Sequence, residues 1–293
     1  MEIVIGLPAY NEEKNIASIV LTLKELDYSV IVCNDGSSDQ TGKIAEKMGA
    51  IVVNHQKNKG YGAAIKSLFD KAKEMDSDIL ITFDEDGQHN VSEIKNVLTP
   101  LISKKADIVI GSRFLGDGEG KIPKYRKFGI KAITKISSLS SDADVKDTQS
   151  GFRGYNKKAL NEINPTEDGM GISTEILIKA SKKDLKIIEV PIIISYEGNT
   201  STYNPASHGI SVMLSTMKFT AIEHPLKFYG IPGIIFLLVG LFFIVWTLQE
   251  FTVSRRIITN LALIATASTI LGTMFMMTAV ILYSVVSLVR ERN

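Results

Sequence analysis

Cysteine is almost missing from this chain. Cys33 is the only one in 293 residues, so no internal disulfide can form. A reducing compartment is the expectation that follows. An excess of charge of either sign is missing too: 33 Lys and Arg face 32 Asp and Glu, for a formal net charge of +1. That balance implies no bulk polyanion, and no nucleic-acid partner is expected. No basic segment with an apolar stretch behind it precedes the first β-branched run at Ile3. A signal peptide is therefore not expected, and the N-terminal domain is expected in the cytoplasm.

Charge is absent locally from two long stretches. Neither Phe228 to Gln249 nor Ile257 to Val289 carries a charged side chain. Crossing a bilayer takes about 20 apolar residues, so each stretch can span once. The link Glu250–Arg256 makes a hairpin that returns the chain to its starting side. Lys218, Lys227, Arg290 and Arg292 then share the cytoplasmic side, as the positive-inside tendency expects, while Arg255 and Arg256 stand against it. The preceding stretch His208–His224 is amphipathic and is expected along the membrane surface.

The first two thirds have an ordinary globular composition. Short β-branched runs at Ile3–Leu7, Val30–Cys33, Ile51–Val53, Ile79–Phe83 and Ile108–Ile110 alternate with helix-like stretches such as Glu12–Leu26 and Tyr61–Met75. Alternation of this kind predicts a mainly parallel sheet with helices on both faces. Ligands of such sheets bind at the carboxyl ends of the strands. Between Lys121 and Lys135 six basic residues, Arg126 among them, interleave with apolar ones and no acidic residue intervenes. An interfacial basic helix and a solvated helix on the core both fit that pattern.

The strand-end loops carry the chemistry. FDEDGQH, residues 83–89, sets Asp84 and Asp86 two apart and Gln88 two further on. Three oxygen donors at that spacing can converge on Mg²⁺ or Mn²⁺. Such a cation neutralises a diphosphate leaving group. The plainer alternative is an acidic turn capping a helix at Asn90–Ser92. The first strand is followed by PAYNEE, Pro8–Glu13, and the second by NDGSSDQT, Asn34–Thr41. Asp35 can accept from the imide N–H of a base, and Ser37, Ser38 and Asp39 can cap the next helix. The loop NKGYGAA, Asn58–Ala64, would let backbone and Lys59 approach a phosphate.

Together these loops resemble the family-2 glycosyltransferases of the GT-A fold over about residues 2–200. IGSRF (Ile110–Phe114), Arg126 and DTQSGFRGYNKKAL (Asp147–Leu160) resemble its polyprenyl-phosphate branch, which includes dolichyl-phosphate mannose synthases and bacterial polyprenyl-phosphate glucosyltransferases. The resemblance implies a GT-A (Rossmann-like) α/β domain and inverting transfer of a hexose from a UDP- or GDP-sugar to a polyprenyl or dolichyl phosphate. It implies that Pro8, Tyr10, Glu12, Cys33, Asp35 and Glu85 line the nucleotide site. Asp84, Asp86 and Gln88 would hold the metal, with Asp86, Arg113 and Arg126 catalytic. Arg113 and Arg126 would receive the lipid phosphate, and bidentate guanidinium chemistry supports that role independently. A structural ion pair is the alternative for Arg113. Asp147 and Glu175 match acidic positions near the acceptor end and are candidate orienting residues.

The sequence also departs from that branch. Where mannose synthases often carry a basic Ser-Lys segment, Tyr196–Gly209 has no Lys or Arg. Ser201, Tyr203, Asn204 or His208 would then close the site, and a UDP-sugar gains on GDP-mannose. The expected division is a catalytic domain over 1–205, an interfacial helix over 206–227 and a transmembrane hairpin over 228–293. Two rivals remain: a processive polysaccharide synthase and a non-catalytic membrane scaffold. The synthases usually carry Q-x-x-R-W, yet the single tryptophan, Trp246, lies within a span with no arginine before it. Homo-oligomerisation stays open.

Overall fold

Alternating apolar residues build the central sheet from the middle outward. In the strand β1, Ile3–Ala9, the side chains of Ile5, Leu7 and Ala9 enter one buried cluster while Val4 enters the other. The strand β2, Ser29–Asn34, divides the same way, with Val30 and Val32 on one face and Ile31 and Cys33 on the opposite one. A strand buried on both faces needs helices on both, since each buried Leu or Ile contributes about 1.5–3 kcal/mol only when water is excluded. The computed structural model describes residues 1–83, 91–115, 145–192, 217, 221–222 and 224–291. The chain divides into two compact units, Met1–Thr216 and Met217–Asn293.

Five further strands complete the sheet: β3 (Ile51–Asn54), β4 (Ile79–Thr82), β5 (Ile108–Ser112), β6 (Arg153–Asn156) and β7 (Ile187–Pro191). Their order is β3-β2-β1-β4-β6-β5-β7. The helices α1 (Ile16–Glu25) and α4 (Ile94–Ile102) supply Ile16, Val20, Leu23, Val97 and Leu101 to one face. The helices α3 (Tyr61–Glu74), α5 (Lys157–Glu162) and α6 (Ile172–Lys182) supply Leu68, Phe69, Leu160, Ile176 and Leu177 to the other. A short helix α2, Thr41–Lys47, follows β2.

The sheet is mainly parallel, as the alternation predicts, with one reversed strand. β6 runs antiparallel between β4 and β5, pairing Thr82 with Arg153 and Ile110 with Arg153. This reversal matters for the site. The start of β6 lies beside the ends of β4 and β5, so the segment entering β6 arrives at the same edge that β1, β2, β4 and β5 leave. Pro8 fits inside β1 because β4 pairs only with Ile3–Gly6. Its missing N–H falls beyond that ladder.

In the second unit two long apolar helices, α7 (Ile231–Ser254) and α8 (Thr259–Glu291), pack as a hairpin. Both are long and apolar enough to cross a membrane. The first helix runs on through Ser254, so the link is shorter than the Glu250–Arg256 expected from composition. Arg255 ends the helix with a left-handed φ of 56°. Small residues set the close approach. A Cβ on Gly240 would lie 2.4 Å from Thr269 Oγ1, and one on Gly272 would lie 2.8 Å from the Leu237 backbone N. In a bilayer, where lipid tails give helices no hydrophobic reason to associate, packing of this kind would hold such a pair. A π-helical turn, Leu226–Gly230, precedes α7. Pro232 cannot donate to the carbonyl of Phe228 and its ring crowds it, which accounts for the widened turn.

Candidate active site

The loops after β1 and β2 fasten to each other. Asn11 takes a left-handed φ of 58°, a conformation asparagine tolerates. Its N–H donates to Ser37 Oγ at 3.0 Å, and its Oδ1 accepts from the Ser38 N–H at 2.8 Å. Glu12 N–H donates to Thr41 Oγ1 at 2.8 Å, and Glu13 N–H to Asp39 Oδ2 at 3.2 Å. Burial raises the Asp39 pKa, but the Thr41 hydroxyl and N–H and the Glu13 N–H outweigh it and hold the carboxyl below its ordinary range. Ser37 and Ser38 thus tie the two loops rather than cap α2, whose N-cap Gln40 makes no side-chain cap. Pro8 and Cys33 sit side by side in the β1–β2 ladder, and Tyr10 is half-buried at its end.

Beneath these loops lies a buried polar knot. Asp35 is 3% exposed and accepts from the Lys59 N–H on Oδ1 and the Gly60 N–H on Oδ2, both at 2.9 Å. His55 Nδ1 lies 2.6 Å from Asp35 Oδ1. A carboxylate only accepts, so Nδ1 carries the proton. Nε2 then faces Ser67 Oγ at 2.8 Å and Cys33 Sγ at 3.7 Å. Asp35 uses three of its roughly four acceptor positions in this way, which leaves capacity for one more donor. His55 is not legible in the sequence. A single histidine in the stretch NHQKNKG carries no periodicity, and only the fold sets it against Asp35.

Gly60 and Gly62 serve packing. A Cβ on Gly60, whose φ is 101°, would lie 2.6 Å from the Asp168 carbonyl, and one on Gly62 would lie 2.3 Å from that of Glu167. The room these glycines make is filled by the 167–169 backbone. The Lys59 side chain is exposed. Glu175, at the start of α6, braces the same loop. Fully buried, it accepts from the N–H groups of Thr166 and Glu167 at 2.8 Å each and from Lys179 Nζ at 2.7 Å. Burial alone would raise its pKa. Lys179, Thr166 and Glu167 reverse the effect and lower it.

At the β5–β6 end, Arg113 and Asp147 form one unit. Arg113 Nε and Nη2 each donate to Asp147 at 2.7 Å. Asp147 is completely buried and Arg113 is 19% exposed. The Asp147 N–H donates in turn to Glu189 Oε1 at 2.8 Å. Arg153, whose role the sequence does not show, is 2% exposed and donates to the carbonyls of Thr148, Ser150 and Ser173. It fixes the segment entering β6 against the start of α6.

The expected metal and acceptor residues Asp84, Glu85, Asp86, Gln88 and Arg126 lie outside the described residues, as do Ser201, Tyr203, Asn204 and His208. So do the basic Lys121–Lys135 stretch and nearly all of His208–His224. Phe83, 2% exposed, brings the chain to the same edge as Pro8 just before Asp84. Among the described residues no group of three or more His, Cys, Asp or Glu is placed to hold a metal ion.

A mostly parallel sheet with helices on both faces and strand ends collected at one edge is a frame of GT-A type. A likeness to a solved structure agrees on the fold. Glucosyl-3-phosphoglycerate synthase from Mycobacterium tuberculosis, solved with Mn²⁺, UDP and phosphoglyceric acid, superimposes with a TM-score of 0.58 at 19% identity, covering 75% of this chain and 78% of that one. Residues 4–163 match the family described as Glycosyl transferase family 2. The chain belongs to that family and is a glycosyltransferase. One relative is the UDP-N-acetylglucosamine–dolichyl-phosphate N-acetylglucosaminyltransferase of Methanococcus voltae, 34% identical over 73% of this chain and 91% of its own length. Another is a dolichyl-phosphate hexose transferase of Haloferax volcanii, 30% identical over 74% of this chain and 93% of its own.

Proposed function

We propose that this glycosyltransferase moves a hexose from a UDP- or GDP-sugar to a polyprenyl or dolichyl phosphate, with inversion, on the cytoplasmic face of a membrane that its hairpin spans. The observation that carries the reading is the pairing of two features in one chain. The segments carrying Glu12, Asp35, Asp39 and Arg113 leave the sheet at one edge, and relatives spanning most of this chain are named for dolichyl-phosphate acceptors. The likeness to the Methanococcus voltae enzyme supports a UDP-sugar, as does the lack of Lys and Arg in Tyr196–Gly209.

In this reading Pro8, Tyr10, Glu12 and Cys33 line the nucleotide pocket, with Glu85 and Lys59 near the ribose and phosphates. Asp35 accepts from the base with its remaining capacity, held in place by His55 and the Lys59–Gly60 turn. Two carboxylates and an amide oxygen, Asp84, Asp86 and Gln88, are hard donors that fit Mg²⁺ or Mn²⁺. Such an ion, when bound, offsets the charge of the departing diphosphate. A phosphate monoester has a second pKa of about 6, so the acceptor is already a nucleophile at neutral pH and a strong general base is unnecessary. The protein's part is to hold two anions in line. Arg126 receives the acceptor phosphate, together with Arg113 from its Asp147-braced position.

Calorimetry of the purified chain with a panel of UDP- and GDP-sugars tests the donor half. A nucleotide sugar should bind with Mn²⁺ or Mg²⁺ and lose most of its affinity in chelator. Equal binding with and without metal would count against the metal role.

A further inference from the structure

The second unit holds a cavity of about 250 Å³ that the reaction above does not use. It is lined by His224, Pro225, Leu226, Lys227, Tyr283, Val286 and Ser287. The residues arrive in facing pairs. His224 and Lys227 stand three apart on the first turn before α7, where the His224 carbonyl accepts from the Lys227 and Phe228 N–H groups. Tyr283 and Ser287 stand four apart on α8, which puts both hydroxyls on one face of that helix. Among the described residues the lining contains an ammonium, an imidazole and two hydroxyls, and no carboxylate. The start of a helix adds the positive end of its dipole. Leu226 and Val286 complete the wall with apolar surface.

We infer that this cavity binds the phosphate headgroup of a membrane lipid, with the lipid tail running along the apolar outside of the hairpin. Its position fits the chemistry. Lys227 directly precedes the charge-free stretch Phe228–Gln249, at the level where a lipid phosphate sits when that stretch is in a bilayer. Ile231, Ile234, Ile235 and Leu238 follow on α7, each more than half exposed. Cationic and hydroxyl donors beside such a surface match an anion that carries a hydrocarbon chain. The inference rests on the hairpin lying in a membrane. It does not depend on which sugar is transferred, or on transfer at all.

Photolabelling of the full chain in lipid vesicles tests it. Three diazirine-tailed probes are used: a prenyl phosphate, a phosphatidylglycerol and a phosphatidylcholine. Adducts of the two anionic probes should map to peptides covering residues 224–230 and 281–288, well above those of phosphatidylcholine. Lys227→Gln should reduce these adducts roughly tenfold, the loss expected for one charge-assisted hydrogen bond. Tyr283→Phe should reduce them less, and Lys227→Arg should restore them. Adducts on the catalytic unit and calorimetric UDP binding should not change in these variants. Preference for the prenyl phosphate names the monoester as the ligand, and preference for phosphatidylglycerol names bulk phospholipid. Both support the site. Equal labelling by phosphatidylcholine, or undiminished labelling of Lys227→Gln, overturns it. Competition by inorganic phosphate as effective as the lipid's would remove the tail from the account and overturn it too. Failure of the chain to float with vesicles overturns the membrane placement on which the site depends, and is read separately from transfer.

Discussion

Arg113 grips Asp147 with three donors: Nε and Nη2 at 2.7 Å each, and its backbone N–H at 3.1 Å. The carboxylate is fully buried, so the guanidinium is its counter-charge as well as its partner. Removing one member of a buried pair strands the other and costs roughly 3–5 kcal/mol. Arg113→Ala should therefore lower stability by about that amount in chemical denaturation. A double change, Arg113→Met with Asp147→Leu, should recover much of it while transfer stays lost. Wild-type stability in Arg113→Ala would show that the pair is not a brace.

His55 is expected to act through Asp35. Its loss removes one of three donors that hold the carboxylate, a charged hydrogen bond worth about 1.5–3 kcal/mol. His55→Ala should weaken UDP-sugar binding roughly tenfold or more and leave the circular-dichroism spectrum unchanged. Unaltered affinity in a folded variant would separate Asp35 from the nucleotide.

Acid stability should report on Glu175. Its folded pKa lies below the ordinary value of 4.5. A carboxyl lowered on folding contributes stability that is complete above its unfolded pKa and is lost as pH falls through the folded one. Urea midpoints measured from about pH 6 down to pH 3 should fall more steeply in the wild type than in Glu175→Gln, whose neutral amide has no such dependence. Parallel curves would mean that Glu175 does not titrate differently on folding.

Residue patterns show through where short-range physics decides. β1 to β5 are legible because short β-branched runs, buried on both faces in all but the edge strand β3, alternate with amphipathic helices. β6 is not, since RGYN has no apolar run and becomes a strand only by pairing with β4 and β5 on either side. β7, IIEVP, is half-buried at an edge and equally weak as a signal. The hairpin helices are legible from missing charge, but Pro232 widening the turn before α7 is not. In the site, loop composition points to nucleotide-sugar chemistry. Pairings such as Arg113 with Asp147, 34 positions apart, and Asp35 with His55, 20 apart, come from the sheet order. Filling of the Gly60 and Gly62 space by residues 167–169 is invisible for the same reason: it joins distant segments.

The most direct measurement follows labelled sugar into lipid. The purified full chain in detergent is given the nucleotide sugar that calorimetry selects, together with polyprenyl phosphate and Mn²⁺ or Mg²⁺. Parallel reactions use polyprenol lacking the phosphate, added chelator, and Asp86→Ala. The proposed function predicts an organic-extractable sugar–phosphate–polyprenol that requires both the phosphate and the metal and falls to background in Asp86→Ala. Equal transfer to the unphosphorylated alcohol, or full activity in chelator and in Asp86→Ala, would contradict it.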